Sequence, residues 1–332
     1  MKKQITVIVV NWNGKACLIQ CLDALRKQSF HELTTVVVDN GSDDGSVEAV
    51  RRIFPEVSII CLTDNFGFAV ANNIAIRQAD TAFVALLNND AIAHPLWLQT
   101  LINALSDHPE AGFAASKMLY HDAPHIIDRA ADGYTTAGAG SLRGRGRENH
   151  VFDHLEWVFG ACAGAALYRM SMLRDIGLFD EDFFLLYEDV DLSFRAQLRG
   201  YKCLYVPTAI VYHMASHSIG YDSPISVYYG HRNLEWVYAQ NMPSSLMVRT
   251  LAGHVLYVIA AFCYFASKGL AVTYFRSKRD ALHAWRTVLK KRRTIQAQRR
   301  VEDRYIWDLL DKEDSVSRIK HRLKRRTLKE RL

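Results

Sequence analysis

The sequence predicts an α/β fold: a mostly parallel sheet with helices on both faces, followed by a basic, helical C-terminal extension. Three observations predict it. Strand-like and helix-like patterns alternate over the first 110 residues. The strand-like runs are β-branched and apolar throughout, as strands covered on two sides must be. Composition, 49% hydrophobic and 23% charged over 332 residues, supports one large core or two smaller ones.

The first strand is "ITVIVV" (5–10), and a helical stretch follows over 15–27. "LTTVVVD" (33–39) is the second strand, "GSDDGS" is turn chemistry, and 47–53 is a short helix. "VSIICL" (57–62) is a third strand, paired with a helix over 67–79. "TAFVALL" (81–87) is a fourth, and a helix over 95–106 carries proline in its first turn. Parallel sheets bind ligands at the carboxyl ends of their strands. On that reading Asn11, Asp39, Asn65, Asn88, Asn89 and Asp90 fall together.

Beyond the repeated units, 141–154 ("SLRGRGRENHVFDH") is rich in glycine and arginine and reads as a mobile loop. "WVFGACAGAALYRM" (157–170) is a strand-like run interrupted by small residues. Six cysteines form no CxxC pair, so they read as buried free thiols rather than zinc ligands or disulfides. The first apolar run is only six residues, too short for a secretory signal, so a cytosolic location is expected.

Several stretches carry chemistry. Asp39-Asn-Gly-Ser closes a buried strand; most such stretches are solvated turns, but a carboxylate there is also placed to meet a base or ribose. Asn65-Phe-Gly67 sits at a strand-to-helix junction, where an anion would meet a helix N-terminus, although a capped helix explains it equally. In "LLNNDAIAHP" a carboxylate follows two amides, a set suited to a hard cation or simply to a turn. The strongest signal is "FFLLYEDVDLSFR". Helix dipoles favour acids in a first turn, but Glu188, Asp189 and Asp191 beside Phe183, Phe184 and Tyr187 exceed what capping needs. A carboxylate held among apolar groups gains proton affinity, which suits a general base. Arg195 and Arg199 follow on the same helix and read as structural partners of acids. His213 and His217 stand in "VYHMASHS"; His213, directly after a strand, is the better metal or phosphate contact.

In their order, "VVNWNG", "VVVDNGSDDGS", "NFGFAVANN", "LLNND", "GACAGAALYRM", "FFLLYEDVDLSFR" and "VYH" resemble the GT-A-fold, family 2 inverting glycosyltransferases over residues 4–240. "YYGHRNLEW" (228–236) and "KKRRTIQAQRR" (290–300) are most similar to its rhamnosyltransferase-like bacterial subgroup. The resemblance implies a transferase domain over 1–240, with a nucleotide-binding half (1–110) and an acceptor and catalytic half (111–240). It implies that Asp39 recognises a pyrimidine, that Asn11, Asn65, Gly67, Asn88 and Asn89 line the nucleotide-sugar pocket, and that Asp90 and His213 hold Mg2+ or Mn2+. Asp189, with Glu188 beside it, is the implied base of a single inverting displacement. The implied donor is dTDP-rhamnose, with UDP-hexoses as the alternative. The implied acceptor is a glycan or a polyprenyl-diphosphate-linked sugar of a bacterial surface polysaccharide such as O-antigen. Asn88 stands where the family's DxD motif has its first aspartate, which leaves an inactive scaffold as a rival; the intact "YEDVD" argues against it.

The remaining 241–332 differ in texture. Residues 276–332 hold 20 Lys/Arg against 8 Asp/Glu, a basic end on an otherwise acidic chain. Just before it, 250–267 carries no formal charge, at the lower edge of a bilayer span. A surface lying on the cytoplasmic leaflet is the leading reading, an internal helix or homo-oligomer interface the second, a spanning helix the third. The tail's few aromatics, chiefly Trp285, Tyr305 and Trp307, and the lack of a recognised motif point away from nucleic acid.

Overall fold

The computed structural model describes residues 3–214 and 222–312, so His217 lies outside the described residues. Four parallel strands come first: β1 (Ile5–Asn11), β2 (Leu33–Asp39), β3 (Ser58–Cys61) and β4 (Phe83–Leu87). Between them run α1 (Lys15–Arg26), α2 (Ser46–Ile53) and α3 (Phe68–Gln78). These elements match the expected ones to within two residues at each end. A short β5 (Ala91–Ala93) and α4 (Trp97–Asp107) follow, Pro95 standing just ahead of that helix.

The second half makes the sheet mixed. It contains β6 (Ala111–Tyr120), β7 (Ile127–Ala130), the hairpin β8 (Asp132–Tyr134) and β9 (Gly140–Leu142), β10 (Glu156–Val158) and β11 (Ala165–Arg169). Then come α5 (Met170–Ile176), a 3-10 turn (Glu181–Phe183), α6 (Glu188–Leu198) and β12 (Lys202–His213). The strand order is β10-β12-β6-β11-β4-β1-β2-β3, with β5 on β12 and β7 on β6. β11 runs antiparallel between β4 and β6, so the parallel arrangement holds within β1–β4 and again for β6 with β12. The expected single run over 157–170 is two strands, β10 and β11, joined by a six-residue connection over 159–164 that passes from the sheet edge to its interior.

Helices cover both faces. Val7 and Val9 of β1 pack with Leu18, Leu22, Trp97 and Leu101 of α1 and α4. Ile8 and Val38 pack on the other face with Ala69, Ala75, Met172 and Leu192. Alternate side chains of one strand thus feed two cores. A third core joins Phe183, Phe194 and Tyr134 to α7 (Pro224–Asn241), α8 (Ser244–Ala266), α9 (Ala271–His283), α10 (Trp285–Ala297) and α11 (Asp303–Leu309). Asp311 completes the β8–β9 hairpin: its N–H donates to the Tyr134 carbonyl at 2.8 Å, and Ser141 Oγ donates to its carboxylate at 2.7 Å.

Two expectations need correction. The 141–154 segment is anchored, not loose: Arg143 pairs with Glu156 at 2.6 Å and lies over Phe152, and Arg145 pairs with Asp128 at 2.5 Å. Arg143 and Arg145 are inward clamps on a turn-rich backbone, and Arg147 is exposed. The cysteines are free, but Cys61 and Cys263 are exposed and only Cys21 and Cys203 fully buried.

Candidate active site

The ends of β1, β2 and β4 form one wall. Asn11 and Asp39 are register partners and both buried. Asn11 Nδ2 donates to Asp39 Oδ1 (3.1 Å) and to Ser42 Oγ (3.2 Å), while its oxygen accepts from Asn89 Nδ2 at 2.8 Å. The Ser42 N–H donates to the second Asp39 oxygen at 2.9 Å. Asn65 joins through a residue that the motifs did not single out: Asn40 Nδ2 donates to Asn65 Oδ1 at 2.9 Å, and Asn40 Oδ1 accepts the Phe66 N–H at 3.0 Å. The polar strand ends are mutually satisfied, which is why they sit buried at so small a cost.

Gly67 joins this wall to the acidic loop. Its φ of +86° lies in the left-handed region, and a Cβ there would meet the Phe184 carbonyl oxygen at 2.4 Å. That carbonyl accepts the Phe68 N–H at 2.6 Å, so the first turn of α3 is capped by the loop that leads to Glu188.

Asp90 stands apart from the amide network and faces His213. A shift of register in β12 between Val206 and Ile210, where Pro207 removes a ladder donor, precedes the stretch that pairs with β5. His213 is thereby set opposite Ala91, and its Nε2 lies 3.2 Å from Asp90 Oδ1. The other ring nitrogen, Nδ1, lies 2.9 Å from Asp128 Oδ2 of β7. Burial works against a charged ring, but the bonds to Asp128 and Asp90 raise the His213 pKa to about 9. Burial likewise works to raise Asp128; the His213 bond and the charges of Arg145 and Arg129 hold it well below the usual carboxylate range. A carboxylate oxygen and an imidazole nitrogen at this separation, with the imidazole oriented by a second carboxylate, could hold a divalent cation once the cation displaces the ring proton.

Glu188 and Asp189 open α6 after a backbone in which Phe184, Leu186 and Tyr187 all have positive φ. Such a conformation costs about 1–3 kcal/mol per residue unless neighbours impose it. Asn233 of α7 imposes it: its Nδ2 reaches the carbonyls of Phe183 (3.0 Å), Leu185 (2.9 Å) and Leu186 (2.7 Å). Asp189 is half-buried and accepts N–H bonds from Ala163 at 3.3 Å and Val190 at 2.8 Å. The turn that supplies Ala163 also touches the other wall, because the Asn88 N–H donates to the Gly164 carbonyl at 2.9 Å. A Cβ on Gly164 would meet the Asn88 side chain at 2.9 Å, so the small residues of this turn permit the close approach.

Raised proton affinity belongs to Glu188, which burial and the neighbouring Asp189 charge push up. Asp191 is structural: it pairs with Arg195 at 2.7 Å and accepts from Asn241 at 2.8 Å. Arg199 pairs with Asp175 at 2.7 Å, so both helix arginines are structural, as expected.

Sequence reasoning passed over Asp128, Arg129, Asp132 and Arg145. Oxygen or sulfur atoms of Asp132, Cys162 and Asp189 lie within 4.8 Å of one another, a second set with metal-binding groups. It suits a cation poorly. Arg129 already lies 3.1 Å from Asp132, and burial pushes the Cys162 thiol up, away from the thiolate that a metal takes.

The Glycosyl transferase family 2 model matches residues 6–177. N-acetylglucosaminyl-diphospho-decaprenol L-rhamnosyltransferase of Mycobacterium tuberculosis is 27% identical over 271 residues, 72% of this chain and 84% of that protein. Poly-beta-1,6-N-acetyl-D-glucosamine synthase of Staphylococcus aureus is 22% identical over 218 residues, 65% of this chain and 51% of that protein. A mannosyltransferase of Pyrobaculum calidifontis, solved in complex with GDP-Man and Mn2+, is alike in fold: TM-score 0.56, 20% identity, 90% of this chain and 86% of that one.

Proposed function

The chain belongs to glycosyl transferase family 2 and is a transferase of the GT-A fold, and from that premise we propose that it moves rhamnose from dTDP-rhamnose to a hydroxyl of a lipid-linked or glycan acceptor, with inversion. The observation that carries the reading is the convergence of three groups at the strand ends: the Asn11–Asp39–Asn89 network, the Asp90–His213 pair and the Glu188–Asp189 loop. The activity in the M. tuberculosis relative's name supports rhamnose and a diphospho-lipid acceptor. The acceptor would place the enzyme at the inner face of the cytoplasmic membrane. The transferase domain is assigned to 1–240, and 241–332 to its C-terminal helical region.

In this reading Asp39, Asn11, Asn65 and Gly67 bound the nucleotide pocket, and Asn88 and Asn89 face the donor. Asp90 and His213 would hold Mg2+ or Mn2+, which when bound would neutralise charge on the departing nucleoside diphosphate. Asn88 brings no charge, so Asp90 is the one carboxylate of that motif. Asp189 accepts the proton of the acceptor hydroxyl as the oxygen attacks the anomeric carbon from the face opposite the leaving group. Burial, with the neighbouring Asp189 charge, pushes the Glu188 carboxyl up to about 8, and Asp189 is the more accessible of the two.

A thermal-shift screen of dTDP-rhamnose and UDP-hexoses, each with Mg2+ or Mn2+, tests the donor. The expected result is a rise in melting temperature with dTDP-rhamnose that EDTA and Asp90→Ala both abolish. A larger rise with a UDP-hexose reassigns the sugar. Asp189→Asn is expected to keep the donor-induced shift and lose transfer by at least about 10²-fold; undiminished turnover removes Asp189 as the base.

A further inference from the structure

From Leu251 to Phe262 every exposed side chain of α8 is a hydrocarbon: Leu251, Ala252, Val255, Leu256, Ile259 and Phe262. Their spacing puts them on one face of the helix. On α9, Val272 and Phe275 continue the apolar exposure, at 82% and 68%. Water gains nothing from such a ridge, and a soluble surface rarely keeps one.

The opposite face of α8 is tied to the transferase body by polar groups. His254 is buried in mid-helix, with Nδ1 2.9 Å from the Ala137 carbonyl and Nε2 3.1 Å from Glu235 Oε2, its ring stacked on Tyr238. Thr250 shares a hydrogen bond of 2.9 Å with the Tyr238 hydroxyl. At 23 residues α8 is about 34 Å long, enough to cross a bilayer core of about 30 Å. Crossing would pull His254 and Thr250 away from these partners into hydrocarbon, where unpaired polar groups are costly.

Charge identifies what covers the ridge. From Arg249 to Arg300 the chain carries twelve Lys/Arg and one acid, Asp280. Arg276 and Arg279 of α9 are exposed beside Phe275 and Val272 and share one acid, Asp280, at 3.8 and 2.9 Å, which leaves a net positive charge there. A second copy docked face to face by a two-fold axis would set these cations against each other. An anionic lipid surface attracts them.

We propose that the α8–α9 ridge rests on the surface of an anionic bilayer, with α8 lying in the plane and not across it. This deepens the reading of a lipid-linked acceptor, which would share that plane. Its test needs no acceptor, so the two readings fail separately.

The purified full chain is floated with phosphatidylcholine–phosphatidylglycerol vesicles and with phosphatidylcholine alone. The expected result is binding to the anionic vesicles that weakens at high salt. The triple variant Leu256→Gln, Ile259→Gln, Phe275→Gln should keep the wild-type circular dichroism and melting temperature and bind at least about tenfold less. Three outcomes overturn the proposal: no binding at low salt, equal binding by a folded variant, or a wild-type dimer that the variant converts to monomer without any vesicle binding. Protein in cell membranes that resists extraction at alkaline pH overturns the in-plane placement. If the triple variant does not fold, Leu256→Gln alone against the wild type decides, with the same loss in direction expected.

Discussion

Asp128 shows how a residue of the candidate site escapes a reading of motifs. It lies in "IIDRAADGY", where no spacing marks it, and its partner His213 is 85 positions away. One oxygen orients the imidazole that faces Asp90, and the other pairs with Arg145. Asp90, His213, Asp39 and Asp189 were legible because each closes a strand or opens a helix within a recognisable local pattern. Asp128, Asn40 and Asn233 were not, because their roles exist only once distant segments meet. Asp128→Asn is expected to weaken Mn2+ binding, measured by titration calorimetry, by about 10–100-fold. Arg145→Gln serves as the control: it lowers stability through the same buried carboxylate but keeps the His213 bond, so it should leave Mn2+ affinity within a few-fold of wild type.

At the scale of elements, α7 acts as the template for the acidic loop. Asn233 reaches three loop carbonyls, and Arg232 adds bonds to those of Asp182 (2.9 Å) and Phe183 (3.3 Å). The sequence made "HRN" visible only as a subgroup resemblance; its use as a carbonyl clamp depends on tertiary contact. Asn233→Ala should cost about 2–3 kcal/mol in denaturant unfolding and lower kcat more than donor KM, since in the proposed mechanism the loop carries the base and not the donor wall. The elements β1–β4 were legible because the two-residue and 3.6-residue periods of apolar residues decide them locally. The antiparallel insertion of β11 was not legible, because its direction depends on pairing with the distant strands β4 and β6. Its entry at Gly164 packs the backbone close against Asn88.

Across the whole molecule, the last hundred residues are part of the architecture. The change of texture near 240 was plain in the sequence, but the third core crosses it: Phe194 and Leu198 of α6 share a cluster with Leu246, Ala281, Val288 and Ile306. Trp307 lies under Arg249 at 3.6 Å and the Tyr305 hydroxyl donates to Gln197 at 2.6 Å, so these aromatics pack inward. Glu235 joins three helices by pairing with His254 and with Lys278 at 2.6 Å. Burial works to raise its carboxyl; His254 and Lys278 nevertheless lower its pKa from 4.5 to about 2. A depressed carboxyl stabilises the fold fully above its unfolded pKa and loses that contribution as pH falls towards the folded value. Wild-type melting temperature should therefore drop between pH 4.5 and about 2 in excess of Glu235→Gln, which is expected to start lower and fall less steeply in scanning calorimetry. An identical slope in both proteins refutes this role of Glu235.

Asp311, which completes the β8–β9 hairpin, also sets an order on biosynthesis. The hairpin leaves the ribosome at residues 132–142, whereas the backbone that pairs with Tyr134 and Thr136 emerges some 170 positions later. Until then a nascent chain with every motif residue already translated carries an unfinished sheet and an unpaired Tyr134 carbonyl. A message cut short before codon 311 encodes all of the proposed chemistry and lacks the partner that closes the molecule.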